Sequence, residues 1–376
     1  MFRLARRWAA FLLLLASLVP IAMYRSWIDA QTAAFVVLAT TIDTPVLNWI
    51  ARASTDGPRA EERTVAGQEA TVVRPGAGKR WPGVVFVNGA TKEGHLHPEV
   101  QRLARGLARA HFLVVVPELP GLRRGEITLR TLSALVAVAR ATADRPDVED
   151  RRVGFVGVSV GSSLALAAAE DDALAGRVSA IAGIAPYADL REVARLATTG
   201  YIRIGARLAG YDPDDFVLLA IARSLAASLP STRDRERFGT SLARIPNERD
   251  DPLAGFTLPA GASRGGRALF ELLTNGDPIA FDRLWRRLPQ QVRDAAARLS
   301  PISRAGRLTM PVELATSPRD DYFPVAESRS LARAAPHVRV TVTESLSHAL
   351  PEPSFHGLGA ALHFDGFVVR GLRALD

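Results

Sequence analysis

The chain of 376 residues contains no cysteine. That absence excludes a thiol nucleophile, a disulfide framework, a cysteine-based zinc site and a lipid-modified N-terminal cysteine, while leaving the redox compartment open. Lysine is almost missing as well: only Lys79 and Lys92 occur, so nearly all of the basic charge is arginine. The formal net charge of +8 is spread along the chain, with Asp and Glu interleaved among the arginines and no long basic run. A nucleic-acid partner is therefore not expected. No glycine-rich dinucleotide turn follows the first strand-like segments, where the sequence reads Asn88-Gly89-Ala90-Thr91-Lys92-Glu93-Gly94, and nicotinamide or flavin chemistry is not indicated. No cofactor is expected, and His95-Leu96-His97 lacks the further ligands that a metal site needs.

Long apolar runs are also scarce, with one exception at the start. Arg3, Arg6 and Arg7 precede the stretch Trp8–Tyr24, and Arg25 follows it. A positive flank, an apolar centre and no small-residue cleavage site predict a signal-anchor over residues 1–25 in preference to a cleaved signal peptide. The larger charge before the run predicts a membrane partner, with the rest of the chain outside the cytoplasm or exported. Residues 26–60 read as an amphipathic linker. Its apolar patch Ala33–Ile42 either lies at the membrane interface or docks on the main body.

From about residue 61 the pattern alternates between strands and helices. Glu69–Pro75 alternates as an early antiparallel strand does, and Gly83–Val87 and Phe112–Val116 are short runs buried on both faces. Helices are expected over Pro98–Ala110 and Thr128–Ala143, and a third buried strand, Val153–Val158, runs straight into Ser159. A helix over Ser162–Glu170 and a strand over Val178–Ala185 follow. Alternation of this kind builds a mostly parallel sheet with helices on both faces. It lapses between residues 188 and 307, which read as a helical cap inserted between a first part of the core, 61–187, and a second part, 308–376. In the second part, strands over Pro311–Ala315 and Val338–Val342 flank a helix, and the tail is helical.

Gly157-Val158-Ser159-Val160-Gly161 occupies the corner between a buried strand and a small-residue helix. A serine there needs a sharp turn, and the two glycines leave room for it. The turn presents the hydroxyl at the carboxyl ends of the strands and aims the Val160 amide at a developing oxyanion. A second amide is expected from the loop after Gly83–Val87, with Ala90 the best placed. An alcohol attacks only if a base takes its proton, and His348 lies in the loop after the last strand. His111 and His337 adjoin core strands, and His356 and His363 fall in the final helix, so these four read as structural. Asn88, His95, His97 and Tyr187 are candidates to line the substrate pocket. The carboxylate that orients the base is Asp320 or Asp321, after the Val312–Ala315 strand.

With these motifs in the order Ser159, Asp320, His348, the chain resembles the α/β-hydrolase superfamily, and within it the dienelactone-hydrolase and prolyl-oligopeptidase-like branch of serine hydrolases. The resemblance is carried by G-V-S-V-G, V-V-F-V-N-G-A, D-D-Y-F-P and S-H. It implies an α/β-hydrolase fold and cleavage of a small-molecule acyl substrate, an ester, thioester or amide, through an acyl-enzyme. It also favours Asp320, four residues before Pro324, as the acid. An acyltransferase on the same fold and a non-catalytic binding protein are the alternatives. The sequence departs from the family at N-G-A, where a histidine-glycine pair is frequent.

Overall fold

The computed structural model describes residues 27–41, 49, 51–53, 55–348, 350–351 and 358–376. Eight strands form one sheet: β1 (Arg59–Val65), β2 (Gln68–Arg74), β3 (Trp81–Val87), β4 (Leu113–Pro117), β5 (Val148–Val158), β6 (Val178–Ile184), β9 (Val312–Thr316) and β10 (Val338–Val342). Their spatial order is β1-β2-β4-β3-β5-β6-β9-β10. The β1–β2 hairpin joins the sheet antiparallel through β2 and β4, and every other neighbouring pair is parallel. The central strands β3 and β4 are apolar and buried along nearly their whole length, as strands covered on both faces must be. β1, exposed along most of its length, has no apolar face and is absent from the sequence pattern for that reason.

Helices cover both faces. One face carries α3 (Leu129–Ala143), capped by a reciprocal Thr128–Thr131 box, and α4 (Val160–Ala169), the helix that follows Ser159. The opposite face carries α1 (residues 27–41), α2 (Pro98–Arg109) and α12 (Leu358–Leu375). Between β6 and β9 the chain leaves the sheet through α5 (Leu190–Thr199), a small hairpin of β7 (Tyr201–Ile204) and β8 (Arg207–Gly210), α6 (Asp215–Ala227), α7 (Thr232–Ala243), α8 (Arg264–Leu273), α9 (Phe281–Arg287) and α10 (Gln290–Arg298). Their apolar sides join the same core cluster as α3 and α4, so these helices lie on the sheet. α11 (Val325–Ala334) then links β9 to β10.

The expectation of a membrane-anchored chain is corrected here. Among the described residues no helix is long and apolar enough to cross a membrane. The predicted signal-anchor over residues 1–25 lies outside the described residues, as does His356. The fold is therefore an α/β architecture without a membrane segment among its described elements. Membrane as a partner, and the external location drawn from it, lose their support. Part of the apolar patch after the first run docks on the main body: α1 buries Ala30, Ala34 and Val37 against Val100, Ala104 and Leu107 of α2, while Phe35 is exposed. A Cβ at Gly106 would stand 3.2 Å from the Val37 carbonyl oxygen, so the missing side chain lets the two helix backbones approach.

Candidate active site

Ser159 follows β5 directly and adopts φ 55° and ψ −130°, a conformation that costs a non-glycine residue about 1–3 kcal/mol. The turn is held from both sides. Ser159 N–H donates to the Ile184 carbonyl at 2.8 Å, and Ser162 N–H donates to the Ser159 carbonyl at 2.9 Å. A Cβ at Gly157 would lie 2.5 Å from Ser162 Cα, and one at Gly161 would run into the Val87 carbonyl and stand 2.5 Å from that of Asn88. The two glycines thus let the helix, the strand and the Asn88 loop close around the serine. Two further serines secure the corner. Ser162 Oγ donates to the Ile184 carbonyl and accepts from Ile184 N–H, and Ser163 Oγ does the same with Tyr187. Sequence reading missed both, because a serine in a helix carries no mark of its partner; their position immediately after the elbow was the available signal.

His348 lies in the turn between two short paired segments, Leu346–Ser347 and Leu350–Pro351, with φ 43°. Its Nε2 stands 2.9 Å from Ser159 Oγ, and its Nδ1 stands 2.8 and 2.9 Å from the two oxygens of Asp320. With Nδ1 protonated, the imidazole donates to Asp320 and leaves Nε2 to accept the serine proton. Asp320 is buried, and its Oδ1 also accepts from the backbone N–H groups of Tyr322 and Phe323, both at 2.8 Å. Asp321 is exposed, and its carbonyl accepts from Asp214 N–H. The two aspartates thus have different surroundings, and it is Asp320 that meets the imidazole. Tyr322 lies against the imidazole with ring centroids 4.2 Å apart, and Phe323 meets it edge-on at 6.0 Å. Burial and the hydrogen-bonded Asp214 carboxylate push the Tyr322 hydroxyl up to about 12, so it stays neutral beside the imidazole. Neither aromatic contact was read from the sequence.

Val160 begins α4, where the first amides have no intrahelical acceptor, and Ala90 lies in the loop after β3; both border the same cavity as Ser159 and His348. That cavity has a volume of about 880 Å³ and is also lined by Asn88, His97 and Tyr187. The Asn88 side chain turns back to donate to the Gly89 carbonyl at 2.8 Å, and Tyr187 O–H donates to the Leu299 carbonyl at 2.9 Å. His97 caps α2 by accepting from Glu99 N–H. His95 takes no part in the lining. It is buried between Glu118, 2.8 Å from Nδ1, and Glu62, 3.1 Å from Nε2, where it ties the loop to β1. Among the described residues no group of three or more metal-ligating side chains occurs.

A serine, an imidazole and a buried carboxylate in hydrogen-bonding sequence can activate a hydroxyl for attack on a carbonyl, and this arrangement is consistent with serine-hydrolase catalysis through an acyl-enzyme. Comparison with solved structures finds similar chains. An acylaminoacyl peptidase of Pyrococcus horikoshii is 13% identical at a TM-score of 0.48, over 86% of this chain and 42% of that one. Dipeptidyl peptidase 4 of Porphyromonas gingivalis is 13% identical at 0.48, over 88% and 37%. Est1E of Butyrivibrio proteoclasticus is 13% identical at 0.47, over 85% and 100%. The chain spans about two fifths of the length of the two peptidases. No curated protein matches it. A family model described as the alpha/beta hydrolase family matches residues 84–357, which is most of the chain and includes Ser159, Asp320 and His348; the protein belongs to the alpha/beta hydrolase family.

Proposed function

We propose that the protein is a carboxylic ester hydrolase in which Ser159 is the nucleophile, His348 the proton shuttle and Asp320 the orienting carboxylate. The observation that carries the reading is the unbroken hydrogen-bonded relay from Ser159 Oγ through His348 to Asp320. As Ser159 Oγ bonds to the acyl carbon, its proton passes to His348 Nε2, and the imidazolium is stabilised by Asp320. The carbonyl oxygen becomes an oxyanion that receives the amide N–H groups of Val160 and Ala90. The tetrahedral species collapses as His348 returns the proton to the departing alkoxide, releasing alcohol. Water then attacks the acyl-enzyme by the same route in reverse order: its proton goes to His348, the acid is released and Ser159 recovers its hydrogen.

The reading is tested with Ser159→Ala. The folded variant is expected to lose both hydrolysis of acyl esters and labelling by a fluorophosphonate probe. Persistent labelling of the folded variant overturns the assignment of Ser159.

A further inference from the structure

We infer that the substrate is an ester that is apolar on both sides of its carbonyl, with one arm lodged beneath the inserted helices and the other between the sheet and α1, α2 and α12. The inference rests on the ester-hydrolase reading of Ser159 and adds the substrate class.

The cavity around Ser159 is not confined to one face of the sheet. On one side it is walled by Leu190 and Val193 of α5 and by Val217 and Ile221 of α6, all members of the core cluster that includes α3 and α4. On the other it is walled by Val37 of α1, Leu107 of α2, and Leu372 and Leu375 of α12, members of the cluster on the opposite face. Ser159 sits where β5 ends, and a strand end is the place where a void can pass from one face of a sheet to the other. At about 880 Å³ the void lies toward the upper end of the ~300–1,000 Å³ typical of small-molecule sites. Such a volume is larger than a short acyl group requires.

The lining is mostly apolar. Asn88 and His348 adjoin the serine, Glu99 and Arg102 on the α2 side pair with each other at 3.4 Å, and two further polar side chains in the arms are bonded to the backbone. Ser224 Oγ donates to the Ala220 carbonyl and accepts from Ile127 N–H. Thr41 Oγ1 donates to the Val37 carbonyl within α1. A peptide or a sugar in either arm would bury amides or hydroxyls without partners, at a cost of about 1–3 kcal/mol for each such group. Methylene chains meet no such cost, and each methylene removed from water raises kcat/KM about three- to fourfold until the arm is filled.

The experiment uses the full chain and two ester series: acetyl esters of alcohols from ethyl to dodecyl, and ethyl esters of acids from acetic to dodecanoic. A rise in kcat/KM with chain length is expected in both series. The variants Ala220→Trp, on the α6 side, and Leu103→Trp, on the α2 side, place an indole in one arm each. Each is expected to lower the long-to-short ratio of kcat/KM at least tenfold, in a different series. A flat profile in either series of the wild-type protein overturns the two-armed substrate, whatever the variants do. So does turnover of no ester by protein that still reacts with a fluorophosphonate. Absence of both turnover and labelling overturns the inference together with the reading of Ser159.

Discussion

Asn88 is buried at the end of β3, and its Nδ2 donates to the carbonyl of the next residue, Gly89, at 2.8 Å. A trans peptide holds its C=O and N–H antiparallel, so fixing the Gly89 oxygen also fixes the direction of the Ala90 N–H. That amide is the proposed second oxyanion donor, which makes Asn88 a positioning residue. The variant Asn88→Ala is expected to lower kcat roughly 10²-fold with little change in KM, the pattern of an interaction lost in the transition state. Asn88→Asp keeps the shape but lacks the donor and is expected not to rescue. A boronic acid that mimics the tetrahedral species should lose affinity in parallel with kcat. Unchanged boronate affinity in a slow Asn88→Ala variant would show that the residue acts on stability alone.

Elements that bury an apolar face were legible in the sequence, and elements held by polar or local contacts were not. β3, β4 and β5 read clearly because strands covered on both faces are runs of Val, Leu and Phe; Ser159 and Asp320 follow buried strands, β5 and β9, whereas His348 comes after β10, an alternating strand at the sheet edge. The β7–β8 hairpin was missed: its two four-residue strands are largely exposed and turn at Gly205, so neither shows an apolar period. α1 was ambiguous for another reason, since alanines and valines suit a lipid interface and a packed helix equally. What organises the helices between β6 and β9 is likewise invisible in one dimension. Arg195 of α5 is fully buried, stacks over Phe281, and pairs with Glu192 and with Asp282 of α9; Asp282 also takes Arg191 and Arg203 of β7. Burial alone would push the Asp282 carboxyl up, but hydrogen bonds from Arg195 and Arg191 outweigh it and hold it below the usual carboxylate range. Asp282→Ala leaves Arg195 with Glu192, the Pro278 carbonyl and the Phe281 ring. It is expected to cost roughly 2–3 kcal/mol in chemical denaturation, with the loss shared by the α5, hairpin and α9 contacts.

The whole molecule carries a pH dependence set by two buried glutamates. Glu170 caps the C-terminal end of α4, behind the nucleophile, where the helix dipole already disfavours a negative charge. It is buried, and among the described residues its Oε1 has no hydrogen-bond partner. Burial pushes its carboxyl up from 4.5 to about 8, against the opposing pull of Arg304, Arg298 and Arg307. Glu327 contributes in the same sense. Burial raises it to about 7, although it accepts from the N–H groups of Ala188 and Asp189. In the unfolded chain both groups ionise near the ordinary glutamate value, so between that pH and 7–8 the folded protein binds more protons than the unfolded one. Stability contributed by these groups is therefore complete at acid pH and falls as pH rises through the window, the reverse of a salt-bridged carboxylate. Glu170→Gln removes the larger part while keeping the shape. Its melting temperature is expected to fall a few degrees less than that of the wild-type protein between pH 6 and pH 9, and the two proteins should differ most at the alkaline end. Thermal unfolding followed across that range decides the matter: parallel curves for the two proteins would place the Glu170 proton elsewhere.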